Sequence, residues 1–583
     1  MKKVLACVLA LVLCLGLLAG CGSDKKDSDK NGDAGSVTVD DNVFFKGKIE
    51  FKTEDGDAVY RIIRPEGDSE IMAVASTVLK SINKSLGISM KNQTDGVDGN
   101  DAYEILIGET NRPETATAKQ YLKQKVGGRY EDIIVCSIGK KIVIYSQSVE
   151  RLSTAADYFV NNFVKADGVD GGILYTEPAK GNFENISING VSIGEFTIIR
   201  PHFNSSYLTE LEMNALIENI YTIAGYKLDI VHDEYSSAGK YEIVVGNANR
   251  EGVSALTDLD EYSVKIAGDK VYLNGGSAHS TAMAVSEFSK LLKANVTDAN
   301  SVNGSYSTTI TSYDASNTLC YVWGDGFSGN ELDTSKWYQS TEKESGVKGE
   351  NGKTSVRSSN PNDVYVADGK FHICARQDDS YYYGGRITTQ KNMRYKYGYI
   401  EMSAVIPHGS DFWVALWVCG DAGNAEAGGF NMYPEIDIVE CFGNSAMYYA
   451  NCHKWPTSSG EALGLTHTSL DNTHANEKKY QCPDDKLLTN DFHTYGMMWT
   501  ETAMTFVCDG DAYFTYEFDP NSEDINTFNQ EMYILISMAL GFESNTISIN
   551  DATDEDWANT NKYIVDYINI YQKNDGKSYV RAY

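Results

Sequence analysis

Short runs of alternating apolar and polar residues dominate the C-terminal half of the chain. They are rich in β-branched and aromatic residues and are separated by Gly, Asn and Asp, which predicts β-strands. The predicted strands are residues 371–376, 397–406, 412–419, 435–442, 504–516, 532–540 and 563–572. Because closely spaced short strands favour a sandwich or jelly roll, we expect an all-β domain over residues 316–575 with a concave face for a ligand.

A different pattern, which is repeated, occupies residues 42–315. The recurring segments are Ile62–Pro65 with Ile198–Pro201, Tyr103–Gly108 with Tyr241–Gly246, and Gly139–Tyr145 with Gly268–Asn274. In each copy a helix-period segment follows the first strand and ends at a glycine, Gly87 or Gly225, and a second helix is expected at about 148–164 or 277–292. The order β-α-β-β-α predicts two small α/β domains, at 42–180 and 181–315.

Arginine and asparagine residues recur at the ends of the predicted strands in both copies. They are Arg64, Asn111 and Arg112 in the first copy and Arg200, Asn249 and Arg250 in the second. Two interpretations are open: an edge that contacts sugar, or side chains that satisfy the hydrogen bonds of turns.

The first residues have the composition of an export signal. Lys2 and Lys3 precede an apolar run from Val4 to Leu18, which is too short for an ordinary membrane-spanning helix. Leu18-Ala-Gly-Cys21 then resembles a bacterial lipobox that ends a signal peptide over residues 1–21, with Cys21 as the lipidation site; a plain secretory signal cleaved elsewhere is the alternative. We expect a protein held by this lipid anchor alone on the extracellular face of the bacterial cell membrane, with a disordered tether over residues 22–41.

The composition restricts the possible partners. With 50 Lys and Arg against 81 Asp and Glu, the net charge of −31 disfavours nucleic acid and weakly disfavours sulfated galactans, so a neutral polysaccharide fits better. The sequence contains no phosphate-binding Gly-rich loop with Lys and no His-Glu-x-x-His motif, and we expect no cofactor in the chemistry. The eight cysteines after Cys21 show no metal-like spacing, and neither disulfide pairing nor oligomeric state follows from the sequence.

Residues 435–440, Glu-Ile-Asp-Ile-Val-Glu, carry the most informative chemistry of the chain. In a strand, Glu435 and Asp437 face one side while the isoleucines face the other. Glu440 has the wrong parity and joins the two acids only if a β-bulge absorbs one residue. Crowded carboxylates repel one another, so at least one pKa should be raised. Such a group suits glycoside hydrolysis with retention, which needs one carboxylate nucleophile and one protonated carboxyl group.

Aromatic side chains flank this hexapeptide in the sequence. Trp413 and Trp417 precede it, and His453 and Trp455 follow it. Aromatic platforms beside carboxylates suit the apolar ring faces and the hydroxyls of sugars. We therefore interpret the acids as catalytic groups; solvated acids on an exposed strand face are the alternative, because the acid spacing alone is a weak signal.

An ordered series of motifs resembles glycoside hydrolase family 16 over residues 320–573. The series consists of Trp323–Gly329 with Leu332, Asp333 and Trp337; Gly385–Thr389; Tyr397–Glu401; Phe492–Tyr495 with Trp499; Asp509–Gly510; and Val565–Tyr567. The resemblance implies a jelly roll of retaining endo-hydrolases in which Glu435 is the nucleophile, Asp437 its helper and Glu440 the acid/base. It implies substrate contacts from Trp413, Trp417, His453, Trp455 and Arg386. The extra residue before Glu440 resembles the bulged branch, which includes laminarinases and agarases.

The same resemblance suggests a structural calcium ion held by Asp566 and the Gly369 carbonyl; a hydrogen-bonded edge aspartate is the alternative. In the last predicted strand, we expect Asp566 to share one face with Ile564, Ile568 and Ile570. Four residues depart from the family pattern, and we expect them to lie around the cleft: Gly326, Ser403, Pro434 and Ser537.

Two functions from different classes remain open. In the first, the protein is a surface-anchored retaining endo-glycosidase that hydrolyses β-1,3- or mixed-linkage β-glucan, or else a galactan hydrolase of the same family, like agarases and porphyranases. In the second, it is a lipoprotein that binds polysaccharide without cleaving it. The presence of all three acids favours the first.

Overall fold

A computed structural model describes most of the chain. The described residues are 39–99, 103–202, 204–258, 261–295, 301–302, 305–309, 319–341, 354–407, 412–442, 447–462, 468–469, 479–481, 491–540 and 562–583. The predicted lipidation site at Cys21 and most of the predicted tether lie outside them. Within these ranges, the helices are all too short or too polar to cross a membrane.

Contacts divide the chain into two compact units. The first comprises the described residues up to Gly127 together with Ile134–Tyr145 and Leu152–Thr176. The second comprises Gly128–Ile133, Ser146–Arg151 and Glu177–Tyr583, so the second α/β repeat and the C-terminal domain belong to one unit.

The first unit is built on a six-stranded sheet. Its strands, in spatial order, are Asn92–Thr94, Arg61–Arg64, Glu104–Ile107, Lys141–Tyr145, Ile133–Ile138 and Ile173–Glu177. The first three pairings are parallel and the next is antiparallel. The central strands are continuous buried apolar runs, which is typical of a parallel sheet covered by helices. The helices are Ser69–Leu86, Pro113–Lys125 and Val149–Phe163.

Local signals set the ends of the helix Ser69–Leu86. The Asp68 side chain accepts hydrogen bonds from the first backbone N–H groups, and the helix ends at Gly87, whose φ of 66° lies in the left-handed region that favours glycine. At the start of this unit, Val39 donates its backbone N–H to Gln124 Oε1 at 3.0 Å, and Asp41–Val43 form a 3₁₀ helix. The last residues of the predicted tether are therefore part of the folded unit.

The second α/β repeat has a six-stranded sheet with the same strand order. Its strands are Ile230–His232, Thr197–Arg200, Glu242–Val245, Lys270–Gly275, Glu261–Ala267 and Ser305–Thr309, and its helices are Tyr207–Ala224 and Ala278–Asn295. Both repeats have more strands than the predicted β-α-β-β-α order. Only the first adds the helix Pro113–Lys125; the described residues 246–258 at the equivalent place in the second form turns.

Short elements complete the N-terminal region. They are Lys48–Ile49 paired with Val169–Asp170, a small sheet of Val191–Ser192, Ser187–Ile188 and Ser301–Val302, and the 3₁₀ helices Ile193–Glu195 and Asp233–Tyr235.

The C-terminal domain consists of two large sheets. The eight-stranded sheet contains Val364–Ala367, Lys370–Cys374, Lys562–Gln572, Gly398–Val405, His493–Trp499, Ala503–Cys508 and Asp511–Glu517 in spatial order, with Cys320–Asp325 paired to Lys562–Gln572. The ten-stranded sheet contains Tyr338–Gln339, Tyr381–Thr388, Tyr533–Leu540, Phe412–Cys419, Met432–Phe442, Met447–Pro456 and Thr468–Ser469, with Thr354–Arg357, Arg376–Gln377 and Lys479–Gln481 at its sides. Met393–Lys396 pairs with Tyr579–Ala582, and the helices Ala422–Ala427, Ser458–Ala462 and Asp524–Phe528 are short.

One core lies between the two large sheets. It combines Ile400 and Met402 from the eight-stranded sheet with Val414 and Ile436 from the ten-stranded one. Each fully buried aliphatic side chain stabilises the fold by about 1.5–3 kcal/mol relative to an exposed one. The predictions of an all-β jelly-roll sandwich at the C-terminus, and of α/β structure before it, are confirmed.

Two strand predictions need correction. Residues 504–516 form a hairpin rather than one strand, because Asp509 and Gly510 both have positive φ values, 48° and 88°, as a two-residue β-turn requires. In Lys562–Gln572, the register against Gly398–Val405 shifts at Asp566. Val565 and Ile568 therefore both face the core, and Asp566 does not share an apolar face with Ile568 as predicted.

Within the second unit, the α/β repeat packs against the outer face of the eight-stranded sheet. Glu401, which is fully buried there, accepts hydrogen bonds from the hydroxyls of Tyr399 and Tyr567 at 2.7 and 2.8 Å. It is also hydrogen-bonded by Ser206 and the Tyr207 backbone, at the N-terminus of the helix Tyr207–Ala224. A helix N-terminus carries partial positive charge, so it is a suitable partner for a buried carboxylate.

Ser403 belongs to the same outer face. Its hydroxyl donates to Asn204 Oδ1 of the α/β repeat at 2.9 Å. The prediction that Ser403 borders the substrate cleft is wrong, because this residue lies on the sheet that does not carry the acids of residues 435–440. Its departure from the family pattern coincides with the place where the α/β repeat docks.

Candidate active site

The acids of residues 435–440 lie in the ten-stranded sheet, on the strand Met432–Phe442. Pairing with the neighbouring strand Phe412–Cys419 skips Ile438, and a matching shift occurs between Asp437 and Glu440 against the strand on the other side. This is the β-bulge that the sequence predicts. Both Ile438 and Val439 are buried in the core, so Glu440 returns to the face of the other two acids.

Glu440 is held by two nitrogen donors. Trp413 Nε1 donates to one carboxylate oxygen at 3.0 Å, and Asn451 Nδ2 donates to the other at 2.5 Å. The residue is 6% exposed. Because both oxygens are engaged, the orientation of this carboxyl group is fixed on the sheet surface.

Asp437 connects the two glutamates. It is hydrogen-bonded to Glu440, and its Oδ2 lies 2.9 Å from His453 Nε2. One ligand atom each of Glu435, Asp437 and His453 lies within 4.8 Å of the others. The three carboxyl groups therefore form one continuous cluster, with His453 on the side opposite Glu440.

All three acids have raised pKa values. Burial is the main cause of the raised pKa of Glu435, and Glu440 adds to it, while His453 and a hydrogen bond from Trp455 oppose it. Burial and the two neighbouring glutamates hold the pKa of Asp437 well above its usual range. Burial also raises the pKa of Glu440, although hydrogen bonds from Asn451, Trp413 and Asp437 oppose it. The cluster therefore retains protons at a pH where exposed carboxyl groups have lost them.

This cluster suits proton sharing better than metal binding. A cation at Glu435, Asp437 and His453 would require a deprotonated Asp437, since ligands bind metals in their deprotonated forms. Burial and the two neighbouring glutamates raise the pKa of Asp437, which opposes the loss of that proton. Two glutamates that differ in hydrogen bonding, with a proton-holding acid between them, can supply a nucleophile and an acid.

Residues 320–573 match a family described as "Beta-porphyranase A-D, GH16 domain". This segment is a glycoside hydrolase family 16 domain. The resemblance of its motifs to that family is thereby confirmed, and so is its placement among glycoside hydrolases.

Several curated relatives of the family 16 domain are named as enzymes that cleave glucans or other β-linked glycans. Glucan endo-1,3-beta-glucosidase A1 of Niallia circulans is 24% identical over 281 residues, which cover 43% of this chain and 38% of that protein. Endo-1,3-1,4-beta-glycanase ExsH of Rhizobium meliloti is 27% identical over 191 residues, 33% of each chain. The chain thus spans well under two thirds of either relative. Among solved structures, the laminarinase of Flavobacterium sp. UMI-01 is 26% identical, with 43% of this chain and 100% of that one covered and a TM-score of 0.34.

The predicted aromatic residues of the family 16 domain gather around the acids. Trp413 contacts Glu440. Trp417, the next tryptophan on the same strand, pairs with Asp437 across the strands. Its indole Nε1 donates to Ser537 Oγ at 3.0 Å. His453 pairs with Glu435 across the strands. Trp455 lies two pairs further along, on the same face and in register with Tyr433. Four aromatic or imidazole side chains therefore border the three carboxyl groups.

Arg386 lies on the same row of the sheet as Glu440 but at a distance. It pairs with Ser537, which pairs with Ala415, which in turn pairs with Glu440. Three strand spacings separate the two residues, or about 14 Å at the backbone. Arg386 Nη2 donates to Ser340 Oγ at 3.1 Å. A substrate contact of Arg386 would therefore involve a sugar distant from the bond beside Glu440, and it stays a prediction.

Two residues of the site were not predicted as such. Asn451 was unassigned, although it precedes His453 by two positions and so shares its face. Ser537 was noted only as a departure from the family, whereas it accepts a hydrogen bond from Trp417. Because side chains alternate between the two faces of a strand, the position of His453 in Met447–Pro456 predicts that Asn451 lies on the same face. The contact between Ser537 and Trp417 cannot be predicted in this way, because it depends on the register of three strands.

The predicted calcium site fits this structure poorly. Asp566 Oδ1 lies 3.6 Å from Lys370 Nζ, so the carboxylate already faces a cation. Calcium takes six to eight oxygen ligands. In the described part of the chain, the only group of three or more acidic, histidine or cysteine side chains close enough to share an ion is the one at Glu435, Asp437 and His453. Calcium at Asp566 and Gly369 stays a prediction.

The repeated arginines of the α/β repeats have structural partners. Arg112 donates to Glu104 and to the backbone of the loop that precedes the strand of that glutamate, and Arg250 does the same with Glu242. Both glutamates are buried, and a lysine completes each cluster. These contacts favour the interpretation as turn-satisfying residues over a sugar-contacting edge.

Proposed function

We propose that the family 16 domain is a retaining endo-glycosidase that hydrolyses a neutral β-1,3- or mixed-linkage β-glucan through Glu435 and Glu440. The observation that carries this proposal is the bulged strand, which places Glu435, Asp437 and Glu440 on one face of the sheet, bordered by Trp413, Trp417 and Trp455, with Asp437 hydrogen-bonded to Glu440.

In the first step, Glu435 attacks the anomeric carbon as a carboxylate. Hydrogen bonding from Trp455 and the nearby His453 favour its charged form. Glu440 gives its proton to the departing glycosidic oxygen, so the bond to the leaving sugar breaks as the bond to Glu435 forms. The products of this step are a shortened polysaccharide with a new hydroxyl and a covalent glycosyl ester on Glu435.

In the second step, Glu440 acts as a base. It takes a proton from a water molecule, whose oxygen attacks the same anomeric carbon and releases Glu435 as a carboxylate. Asp437 holds a proton beside Glu440 in both steps through their hydrogen bond. We expect this hydrogen bond to limit the electrostatic repulsion when both glutamates are charged.

A galactan is the second candidate substrate, because the matched family description names β-porphyranases. The name of one curated relative specifies a β-1,3-glucan, and the name of another specifies β-1,3-1,4 linkages. The net charge of −31 also opposes binding of a sulfated, anionic chain. Release of reducing ends from laminarin, lichenan, agarose, carrageenan and porphyran would separate the candidates. No release from any of them, with binding retained, would favour a polysaccharide-binding protein instead.

The stereochemistry tests the roles of the two glutamates. Proton NMR of the first minutes of hydrolysis should show the β-anomer of the new reducing end, as double displacement requires. Glu435→Ala with added azide should release an α-glycosyl azide, because azide then attacks from the face of the missing carboxylate. Glu440→Ala with azide should release the β-azide instead. The same azide product from both variants would contradict the assignment.

We also propose that Cys21 anchors the protein on the outer side of the bacterial membrane. The apolar run and lipobox-like sequence before Cys21 support this location. Cys21→Ala should abolish metabolic labelling of the protein with radioactive palmitate, whereas equal labelling of wild type and variant, or no labelling of wild type, would argue against the anchor.

A further inference from the structure

The second α/β repeat holds an acidic turn of the hydrolase domain. Arg200, at the end of the strand Thr197–Arg200, is 1% exposed. Its Nη1 donates to the Asp509 carbonyl oxygen at 2.9 Å, and its Nη2 lies 2.6 Å from Asp511 Oδ1. The backbone N–H of Asn204 donates to Asp509 Oδ1 at 2.8 Å. The turn between Ala503–Cys508 and Asp511–Glu517 is therefore bound through both main-chain and carboxylate oxygens.

This turn lies at the place where parallel sheets usually bind ligands. From Thr197–Arg200 the chain crosses first to Ile230–His232 on one side and then to Glu242–Val245 on the other. Such a reversal of direction opens a crevice at the carboxyl ends of the two strands. Arg200 lies at the carboxyl end of the strand where this crevice opens.

The first repeat has an equivalent arginine. Arg64 ends the strand Arg61–Arg64, whose neighbours reverse direction in the same way. Both arginines also take the same local pose, since each donates Nη1 to the carbonyl oxygen of the following proline, at 3.0 Å for Arg64 and 3.3 Å for Arg200. The first repeat thus presents the same cation at the same position of the same sheet.

The two arginines differ in their partners. Arg200 Nε lies 3.2 Å from Glu210 Oε2. In the first repeat, Met72 takes the place of Glu210, because Met72 precedes Gly87 by as many residues as Glu210 precedes Gly225. Met72 carries no charge and is 43% exposed. Among the described residues Arg64 forms no ion pair; its Nε, like that of Arg200, is buried without a hydrogen-bond acceptor. Arg64 is a cation whose counterpart in the second repeat binds a carboxylate of the hydrolase domain.

We propose that the crevice at Arg64 in the first repeat is a docking site for an acidic β-turn of a partner protein. The occupant of the matching crevice in the second repeat defines the chemistry: a main-chain carbonyl and an aspartate from a tight turn. This inference is independent of the catalytic function proposed above.

We expect this docking to be weaker than the contact in the second repeat. The loop from Arg200 to the next helix supplies Asn204, while the loop from Arg64 to Ser69 is shorter. Glu66 takes the sequence place of His202 and adds a negative charge near the crevice. A transient partner fits such an interface better than a permanent one.

A hairpin peptide taken from this chain is a direct probe. A cyclised, fluorescently labelled peptide of residues 503–517, with Cys508 replaced by serine, can be titrated with the full-length protein, in which the second crevice is already filled. A second peptide carries Asp509→Asn and Asp511→Asn. Arg64→Ala removes the cation, and Lys84→Ala, an exposed lysine at the far end of the following helix, is the charge-matched control.

The expected result is saturable binding of the acidic hairpin that weakens at least tenfold with Arg64→Ala or with the asparagine peptide and is unchanged with Lys84→Ala. Because the peptide variant leaves the protein intact, it separates docking from any folding defect of Arg64→Ala. Absence of binding, or equal binding by wild type and Arg64→Ala, would overturn the proposal. Binding of oligogalacturonate through Arg64, without binding of the hairpin, would overturn it in favour of an acidic glycan.

Discussion

His453 Nε2 lies 2.9 Å from Asp437 Oδ2, and the two side chains are nearly excluded from solvent at 18% and 7% exposure. This contact fixes the acid that connects the two glutamates. Asp437 is also hydrogen-bonded to Glu440. The cluster can therefore hold a defined number of protons in a defined geometry, which is what a two-carboxylate mechanism needs.

Glu435→Gln should abolish hydrolysis and leave the fold intact. The amide has nearly the same shape as the carboxylate but cannot form the glycosyl ester, so we expect turnover of a soluble β-glucan to fall by about 10⁴-fold or more. Reducing-sugar release measures the loss, and an unchanged circular dichroism spectrum shows that the fold persists. Turnover equal to wild type would remove Glu435 as nucleophile.

Asp437→Asn should stabilise the protein at neutral pH while lowering its activity. An aspartate in the unfolded chain titrates near 3.8, and burial raises the pKa of Asp437 well above that value in the fold. Between the two values the folded state binds a proton that the unfolded state has lost, so this group makes stability fall as pH rises. Because asparagine does not titrate, Asp437→Asn removes this pH dependence of stability.

Thermal unfolding from pH 4 to pH 8 measures this difference. We expect Asp437→Asn to exceed wild type by about 1 kcal/mol at pH 7, in line with other substitutions that relieve active-site strain, and to match it near pH 4. Parallel stability curves for the two proteins across this range would show that Asp437 does not retain its proton.

Asn451→Ala should shift the pH dependence of activity. Burial raises the pKa of Glu440, and the hydrogen bond from Asn451 is the largest effect that opposes the rise. Without this donor the pKa of Glu440 rises further, so the acid keeps its proton to higher pH. The alkaline limb of the kcat/KM profile should therefore move to higher pH. Ser537→Ala, which removes a contact to Trp417 instead, should leave the limb in place.

The part of the active site that lies on a single strand could be predicted from the sequence. The parity of the acids in residues 435–440 predicts the bulge, because only an extra residue puts Glu440 beside Asp437. The dipeptide Asp509-Gly510 is a strong hairpin signal, and it marks the turn that divides residues 504–516 into two strands. The bulge at Asp566 had no such signal, since it follows from pairing with Gly398–Val405.

Contacts between distant segments could not be predicted. Ser403, which departs from the family pattern, donates its hydroxyl to Asn204 in a loop of the α/β repeat, about two hundred residues earlier in the chain. From one sequence, this substitution resembled a change in the cleft. The partner of an outward-facing residue depends on which domain covers that face, and periodicity along a strand carries no information about it.

Arg200→Ala should destabilise the hydrolase domain although Arg200 lies in the α/β repeat. The substitution leaves Glu210 without its counter-ion and breaks the contacts to Asp509 and Asp511. Breaking a fully buried ion pair costs about 3–5 kcal/mol. Asp511 is half exposed, so we expect about 2–3 kcal/mol. Arg64→Ala, the matched change in the first repeat, should cost less than about 1 kcal/mol because Arg64 forms no ion pair in the described residues.

Tryptophan fluorescence in a urea titration can detect this coupling specifically. All 7 tryptophans of the chain lie between residues 323 and 557, within the hydrolase domain, so the signal does not report unfolding of the α/β repeats themselves. If the second repeat supports the outer sheet at Asp509 and Glu401, Arg200→Ala should lower the midpoint of the fluorescence transition, and Arg64→Ala should not. Equal midpoints for wild type and Arg200→Ala would mean that the hydrolase domain is stable without this contact.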